Sequence, residues 1–127
     1  MEYEGHFDGS ATPNPGEMII GGIIRDSDTG NSVVKYSVEL GHGTNNEAEY
    51  NSLVELLVRA QRIGIKHLNI KGDSLLVVNQ VNGLWKTKNP RMKKLKLEVW
   101  KLLEGFDRWK LEHVLRGENK EADRLTR

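Results

Sequence analysis

Between Tyr3 and Leu40 apolar and polar positions alternate as in extended chain, and from Thr44 onward most apolar positions fall at helical spacing, broken by two strand-like runs. Tyr3, Gly5 and Phe7 alternate with Glu4, His6 and Asp8, which predicts a first strand ending at Asp8. The Gly, Pro and Asn residues of 9–16 then read as a turn. Residues 18–24 form an apolar run around the pair Gly21-Gly22, a second strand that something approaches closely. A hairpin turn at 26–31 leads to a third strand marked by Val33, Val34, Tyr36, Val38 and Leu40. Connections this short predict an antiparallel meander.

Thr44-Asn45-Asn46-Glu47 has the form of a capping box, with Thr44 at the N-cap and Glu47 able to reach back to its amide. Leu53, Leu56, Leu57 and Ala60 define the buried face of the helix that follows, which stops at Ile63-Gly64. Residues 67–71 predict a fourth strand, ended by Gly72-Asp73-Ser74, with Ser74 capping a helix suggested by Leu75, Leu76, Val77, Val78 and Val81. Since a helix separates it from the meander, this strand joins the sheet parallel to a neighbour. Met92, Leu95, Val99, Leu102, Leu103 and Phe106 mark a longer helix, residues 110–115 a fifth strand, and Asn119 or a neighbour caps a last short helix holding Glu121 to Leu125. The result is an α/β fold with a mixed sheet, built as a single domain over residues 1–127.

Composition narrows the chemistry. There are no cysteines, which excludes thiol catalysis and Cys-based zinc sites and suits a reducing compartment. No apolar run approaches the roughly 20 residues of a membrane span, and Met1 to Glu4 lack the regions of a signal peptide, so we expect a cytoplasmic protein. The net charge of +1 hides an uneven distribution: Lys86, Lys88, Arg91, Lys93, Lys94 and Lys96 crowd into one segment, either a solvated face or a surface for a polyanion. Trp85, Trp100 and Trp109 read as core or core-edge residues, and His6, His42, His67 and His113 show no metal-ligand spacing. No base stands at motif spacing to the Ser10 or Ser74 hydroxyl, which argues against a serine hydrolase.

Four acids stand out by position. Asp8 ends a strand, Glu49 lies on the apolar side of a helix four residues before Leu53, Asp73 follows a strand, and Asp123 lies in the last helix. Taken singly, Asp8 can be a turn former, Glu49 a glutamate at the edge of its face and Asp73 part of a cap. Together they match what hard divalent cations require, since such ions bind oxygen and two of them can clamp the attacking and leaving oxygens of a phosphoryl transfer.

Asp8-Gly9-Ser10, Thr44-Asn45-Asn46-Glu47-Ala48-Glu49, Gly72-Asp73-Ser74 and Asn119-Lys120-Glu121-Ala122-Asp123 resemble, in order and spacing, the four motifs of type-1 ribonuclease H. The resemblance implies a ribonuclease H-like, five-stranded mixed sheet, in which a three-strand antiparallel meander meets two parallel strands flanked by helices. It also implies an endonuclease that cuts the RNA strand of RNA/DNA hybrids, with double-stranded RNA as a further candidate substrate. Asp8, Glu49, Asp73 and Asp123 would be the metal ligands, for Mg²⁺ or Mn²⁺, two ions per site with substrate. Gly9, Ser10, Asn14, Thr44, Asn45, Asn46 and Ser74 would contact substrate, Gly21 and Gly22 would let a minor groove lie on the sheet edge, and Glu49 would also accept from an RNA 2′-hydroxyl.

Three departures from the family pattern stand out. A histidine that many members carry before the last acid is absent, and Arg116 is the candidate in its place, acting by charge because a guanidinium does not give up its proton. A basic handle insertion is absent. Arg127 follows Asp123 by four residues, which leaves little helix to hold that acid. Two alternatives stay open: a nucleic-acid-binding module of this fold with little turnover, and an exonuclease or strand transferase of the same superfold. A monomer is the default.

Overall fold

The computed structural model describes residues 1–127. The meander is β1 (Tyr3–Thr12), β2 (Gly16–Asp26) and β3 (Ser32–Gly43), and the later strands are β4 (His67–Gly72) and β5 (Arg108–His113). They form one sheet in the order β3-β2-β1-β4-β5, antiparallel within the meander and parallel from β1 through β4 to β5. The helices are α1 (Asn45–Arg62), α2 (Leu75–Val81), α3 (Pro90–Leu103) and the five-residue α4 (Lys120–Arg124), which follows a 3₁₀ turn at Arg116–Glu118. No helix is long and apolar enough to cross a membrane.

Alternation along β1 sorts the two sides of the sheet. Gly5 and Gly9 face α1, because a β-carbon on Gly5 would lie 2.9 Å from Leu56 and one on Gly9 would strike the Ala48 backbone. Tyr50, Leu53, Leu56, Leu57 and Ala60 of α1 are fully buried against this side, where Phe7, Ile20, Ile24, Leu68 and Ile70 complete the core. The capping box forms as expected: Glu47 N donates to Thr44 Oγ1 (3.1 Å) and Thr44 N to Glu47 Oε1 (3.2 Å). On the opposite side Asp8 pairs across the ladder with Gly21, and α4 covers both, with Leu125 Cβ 2.6 Å from where a Gly21 β-carbon would sit.

Several boundaries differ from the sequence reading. β1 does not end at Asp8 but runs on to Thr12, paired with β2 from Gly9↔Ile20 to Thr12↔Glu17. Gly-Ser-Ala-Thr carries little strand propensity, and the pairing with the apolar β2 overrides it. The ladder to β4, however, does stop at Phe7↔Gly72, so Asp8 lies just past the point where β1 parts from its parallel neighbour. β5 begins two residues earlier than expected, in register with β4 from His67↔Arg108. Gly21 and Gly22 lie on an interior strand, Gly21 under α4 and Gly22 against the Tyr36 ring, so no groove can rest on them at a sheet edge. Trp85, Trp100 and Trp109 sit partly exposed at the edge of the core, and Trp100 Nε1 donates to Val81 O (2.9 Å).

Two glycines give contrasting tests of this packing. Gly9→Ala forces a methyl group into the Ala48 backbone, where no rotamer can yield, and should cost about 3 kcal/mol. Gly41→Ala meets open space at φ 82° and should cost about 1 kcal/mol for its left-handed backbone alone. Equilibrium urea unfolding measures both, and equal losses would mean that α1 does not press on β1 as described.

Candidate active site

Where the β1–β4 ladder ends, three side chains converge from three elements. Asp8 projects from β1, Asp73 from the bend after β4, and Glu49 from the first turns of α1, which Gly9 allows to sit directly on β1. Carboxylate oxygens of these three lie within 4.8 Å of one another. Asp8 and Glu49 are only 6% and 7% exposed, so their charges are largely cut off from water. Ser74 caps α2, its Oγ accepting from Val77 N (3.3 Å), which leaves Asp73 free of that duty.

Asp123, from α4, borders the same cleft without joining the tight triad. Its Oδ2 accepts from Arg127 (2.7 Å) and its Oδ1 lies 3.5 Å from Arg116. Thr126, at the end of this segment, donates from Oγ1 to Asp8 Oδ2 (3.2 Å). The cleft encloses about 360 Å³ and has no hydrophobic residue in its lining. Beside the four acids and Arg116 it is lined by Gly9, Ser10, Asn45, Asn46 and Ser74. Asn45 is fixed in place, with its Oδ1 accepting from Ala11 N (2.7 Å) and its own N donating to Asn14 Oδ1 (3.0 Å). Asn14 and Thr44 therefore support the rim and do not line the cleft, and Gly21 lies apart from it beneath α4.

Electrostatics follow from the crowding. Burial first, then the charge of Asp73, raises the Asp8 carboxyl to about 6. Burial and then the charge of Asp8 raise Glu49 further, to about 10. Burial also pushes Asp123 upward, but the hydrogen bond from Arg127 and the charges of Arg127 and Arg116 outweigh it and hold this carboxyl below its usual range. Glu49 Oε1 is buried with no hydrogen-bond partner, which in a native site calls for one. An all-oxygen set of three to four carboxylates, one with an orphaned buried oxygen, fits a hard divalent cation.

Comparison with known proteins places this arrangement. A family model described as reverse transcriptase-like matches residues 6–127. Ribonuclease HI of Halobacterium salinarum is 37% identical over 120 residues, 94% of this chain and 60% of that protein. The crystal structure of RNase H1 from Halobacterium salinarum NRC-1 superposes with a TM-score of 0.96 at 35% identity, covering 99% of this chain and 95% of that one. This chain belongs to the type-1 ribonuclease H family. LC11-RNase H1, isolated from compost by a metagenomic approach, matches with a TM-score of 0.91 at 32% identity, over 98% and 93% of the two chains, in its complex with RNA/DNA hybrid. The bifunctional protein Rv2228c of Mycobacterium tuberculosis is 36% identical over 118 residues, 93% of this chain and 32% of that protein. The chain thus spans three fifths or less of the length of these two relatives known by their full sequences.

Ribonuclease H proteins are metal-dependent, and each of the four motifs quoted from the sequence contributes at least its acid to the lining of the cleft here. Three contributors escaped the sequence reading. Arg127 and Thr126 hold Asp123 and Asp8 through the contacts above. Asn119 does not cap α4 with its side chain; it is 1% exposed, with Nδ2 donating to Phe7 O (3.0 Å) and Oδ1 3.0 Å from His6 Nδ1. At the last rung of the β1–β4 ladder the Asn119 carboxamide meets the strand's carbonyl, and the need of a buried carbonyl for a donor outranks capping. The one available signal was His6 on the polar side of an alternating strand, two residues before Asp8.

The pH dependence of stability reports the strained triad. A carboxyl raised in the folded state stabilises the fold fully below its unfolded value and loses that contribution as pH climbs through the folded value. For Asp8, moved from 3.8 to about 6, the loss is about 2–3 kcal/mol, and Glu49 extends the decline to higher pH. Thermal melting in chelator from about pH 4.5 to 8 should show falling stability, and Mg²⁺ should recover more of it at pH 8 than at pH 5. Stability that rose over this range would refute the crowding of Asp8 with Glu49 and Asp73.

Proposed function

We propose that the chain is an endoribonuclease that hydrolyses the RNA strand of RNA/DNA hybrids and leaves 3′-hydroxyl and 5′-phosphate ends. The observation that carries this reading is the convergence of Asp8, Glu49 and Asp73 within 4.8 Å in a wholly polar cleft, with the orphaned Glu49 oxygen buried beside them. Membership of the family and the LC11-RNase H1 complex with RNA/DNA hybrid support the substrate class.

Asp8, Glu49, Asp73 and Asp123 would hold Mg²⁺ or Mn²⁺, two ions when substrate is bound. Such ions supply Lewis acidity and a bound water of lowered pKa. In the net reaction a water oxygen bonds to phosphorus, the bond from phosphorus to the 3′ oxygen breaks, and that oxygen leaves protonated. Asp8 and Asp73 hold the negative wall that excludes a bare phosphate. The Ser74 hydroxyl and the Asn45 and Asn46 amides offer neutral donors around it, Ser10 lines the cleft with its hydroxyl donated to Thr126 O, and Asn45 is already immobilised through Ala11 and Asn14. Glu49 is the residue we assign to the RNA 2′-hydroxyl, the group that separates RNA from DNA. Asn14 and Thr44 reach the substrate backbone from the rim. Arg116, 75% exposed at the cleft mouth, meets developing negative charge without donating a proton. We read the protein as a cytoplasmic monomer.

A labelled set of RNA/DNA, RNA/RNA and DNA/DNA duplexes, incubated with Mg²⁺, Mn²⁺ or chelator and sized on a gel, tests the proposal. Internal cuts in the RNA of the hybrid, absent with chelator, are expected. Hybrid that is bound but never cut would convert the chain into a binding module.

Within that assay Asp8→Asn should abolish cleavage and keep hybrid binding intact or tighter, because it removes a ligand and one charge that repels phosphate. Arg116→Ala should lower kcat on the order of 10-fold, well short of Asp73→Asn. Full turnover by the Asp8 variant, or equal losses at Arg116 and Asp73, would overturn these assignments.

A further inference from the structure

Beside the carboxylate cleft, and sharing Arg116 and Asp123 with it, lies a second concavity of about 530 Å³ on the face of α4. Its remaining charged lining is Lys120, Arg124 and Arg127, and no hydrophobic residue takes part. Lys120 and Arg124 stand four apart on the same side of the helix, while Ala122 and Thr126 are buried and Leu125 packs on Gly21. Asp123 is the one acid in the concavity, and it is already held by Arg127 and Arg116. Lys120 and Arg124 enter no ion pair at all within 4.0 Å. Two unpaired cations at this spacing repel each other.

In the folded state α4 is oriented by contacts from several directions. Asn119 is tied to the Phe7 carbonyl, Ser37 Oγ donates to Leu125 O (2.6 Å) and Ser10 Oγ to Thr126 O (3.3 Å). We propose that this concavity is a second phosphate subsite, which takes the sugar-phosphate backbone of the nucleic-acid strand as it leaves the carboxylate cleft. The assignment rests on the hydrolase reading for its occupant, since a strand seated at Asp8 and Asp73 and running past Asp123 enters the concavity directly. With no aromatic side chain there and its cations facing the backbone, the subsite contacts phosphate and carries no base-edge readout, so it binds without regard to sequence.

The test is fluorescence anisotropy of a labelled RNA/DNA hybrid in chelator, over about 50 to 300 mM salt, with the wild-type chain, Lys120→Ala/Arg124→Ala and Lys120→Glu/Arg124→Glu. Loss of two phosphate contacts should weaken Kd about 10-fold near 0.1 M salt and flatten the plot of log K against log salt by about 1.5. Charge reversal should weaken binding further. Both side chains are exposed, so the circular dichroism spectra should match the wild type. Unchanged Kd and slope in both variants would overturn the subsite. Equal competition by poly-glutamate at matched charge would overturn its assignment to nucleic acid. Parallel cleavage assays in Mg²⁺ separate the two readings: a wild-type chain that shows the slope difference but cuts nothing loses the hydrolase function and keeps the subsite. One that cuts while the variants bind as before loses only the subsite.

Discussion

Carboxylates repel, and water normally dilutes that repulsion; here Asp8 and Glu49 are brought together with Asp73 where little water reaches. Each added negative charge raises the cost of the others, so the rest of the fold is arranged to hold what these side chains alone would push apart. The core on the α1 side supplies that force. Five fully buried apolar side chains from Tyr50 to Ala60 press α1 onto the sheet, and Leu or Tyr burial at about 1.5–3 kcal/mol each outweighs a carboxylate penalty of a few kcal/mol. Gly9 converts the pressure into position, since without a β-carbon the helix backbone can come down to the strand and bring Glu49 beside Asp8.

The parting of β1 from β4 provides the room. Parallel α/β sheets hold their ligands beyond the carboxyl ends of their strands, and here the opening lies after Phe7↔Gly72, with Asp8 and Asp73 each one residue past the last rung. The antiparallel partner β2 continues alongside β1 to Thr12, so the backbone at Asp8 stays rigid on one flank while the other is open. Rigidity and access thus come from different neighbours of one strand.

Much of this was legible in the sequence, for local reasons. The capping box at Thr44 and Glu47, the apolar stripe of α1 and an acid on that stripe follow from spacing alone, and they locate Glu49 on the buried side. Asp73 was equally exposed to reading, since it sits between a strand and the Ser74 cap. What stayed hidden depends on partners distant along the chain. Residues 9–12 look like a turn until β2 lies beside them, Gly21 and Gly22 look open until α4 and Tyr36 cover them, and Asn119 looks like a cap until the Phe7 carbonyl competes for its amide. The four-residue spacing of Asp123 and Arg127 is visible in the sequence, but that the two side chains meet depends on the helical turn continuing past α4.

The fastening of α4 carries a dynamic consequence. It is five residues long, has one fully buried side chain, Ala122, and meets the sheet through side-chain hydrogen bonds and not through a ladder. Such a segment can release and redock without disturbing the cooperative unit formed by β1, β2 and α1, so its amides should belong to the least protected class in hydrogen exchange. The four carboxylates then ride on two parts of the molecule with different opening free energies. Two of them, Asp8 and Glu49, belong to elements of the buried core, and Asp123 rides on a segment held by one buried side chain and a few hydrogen bonds.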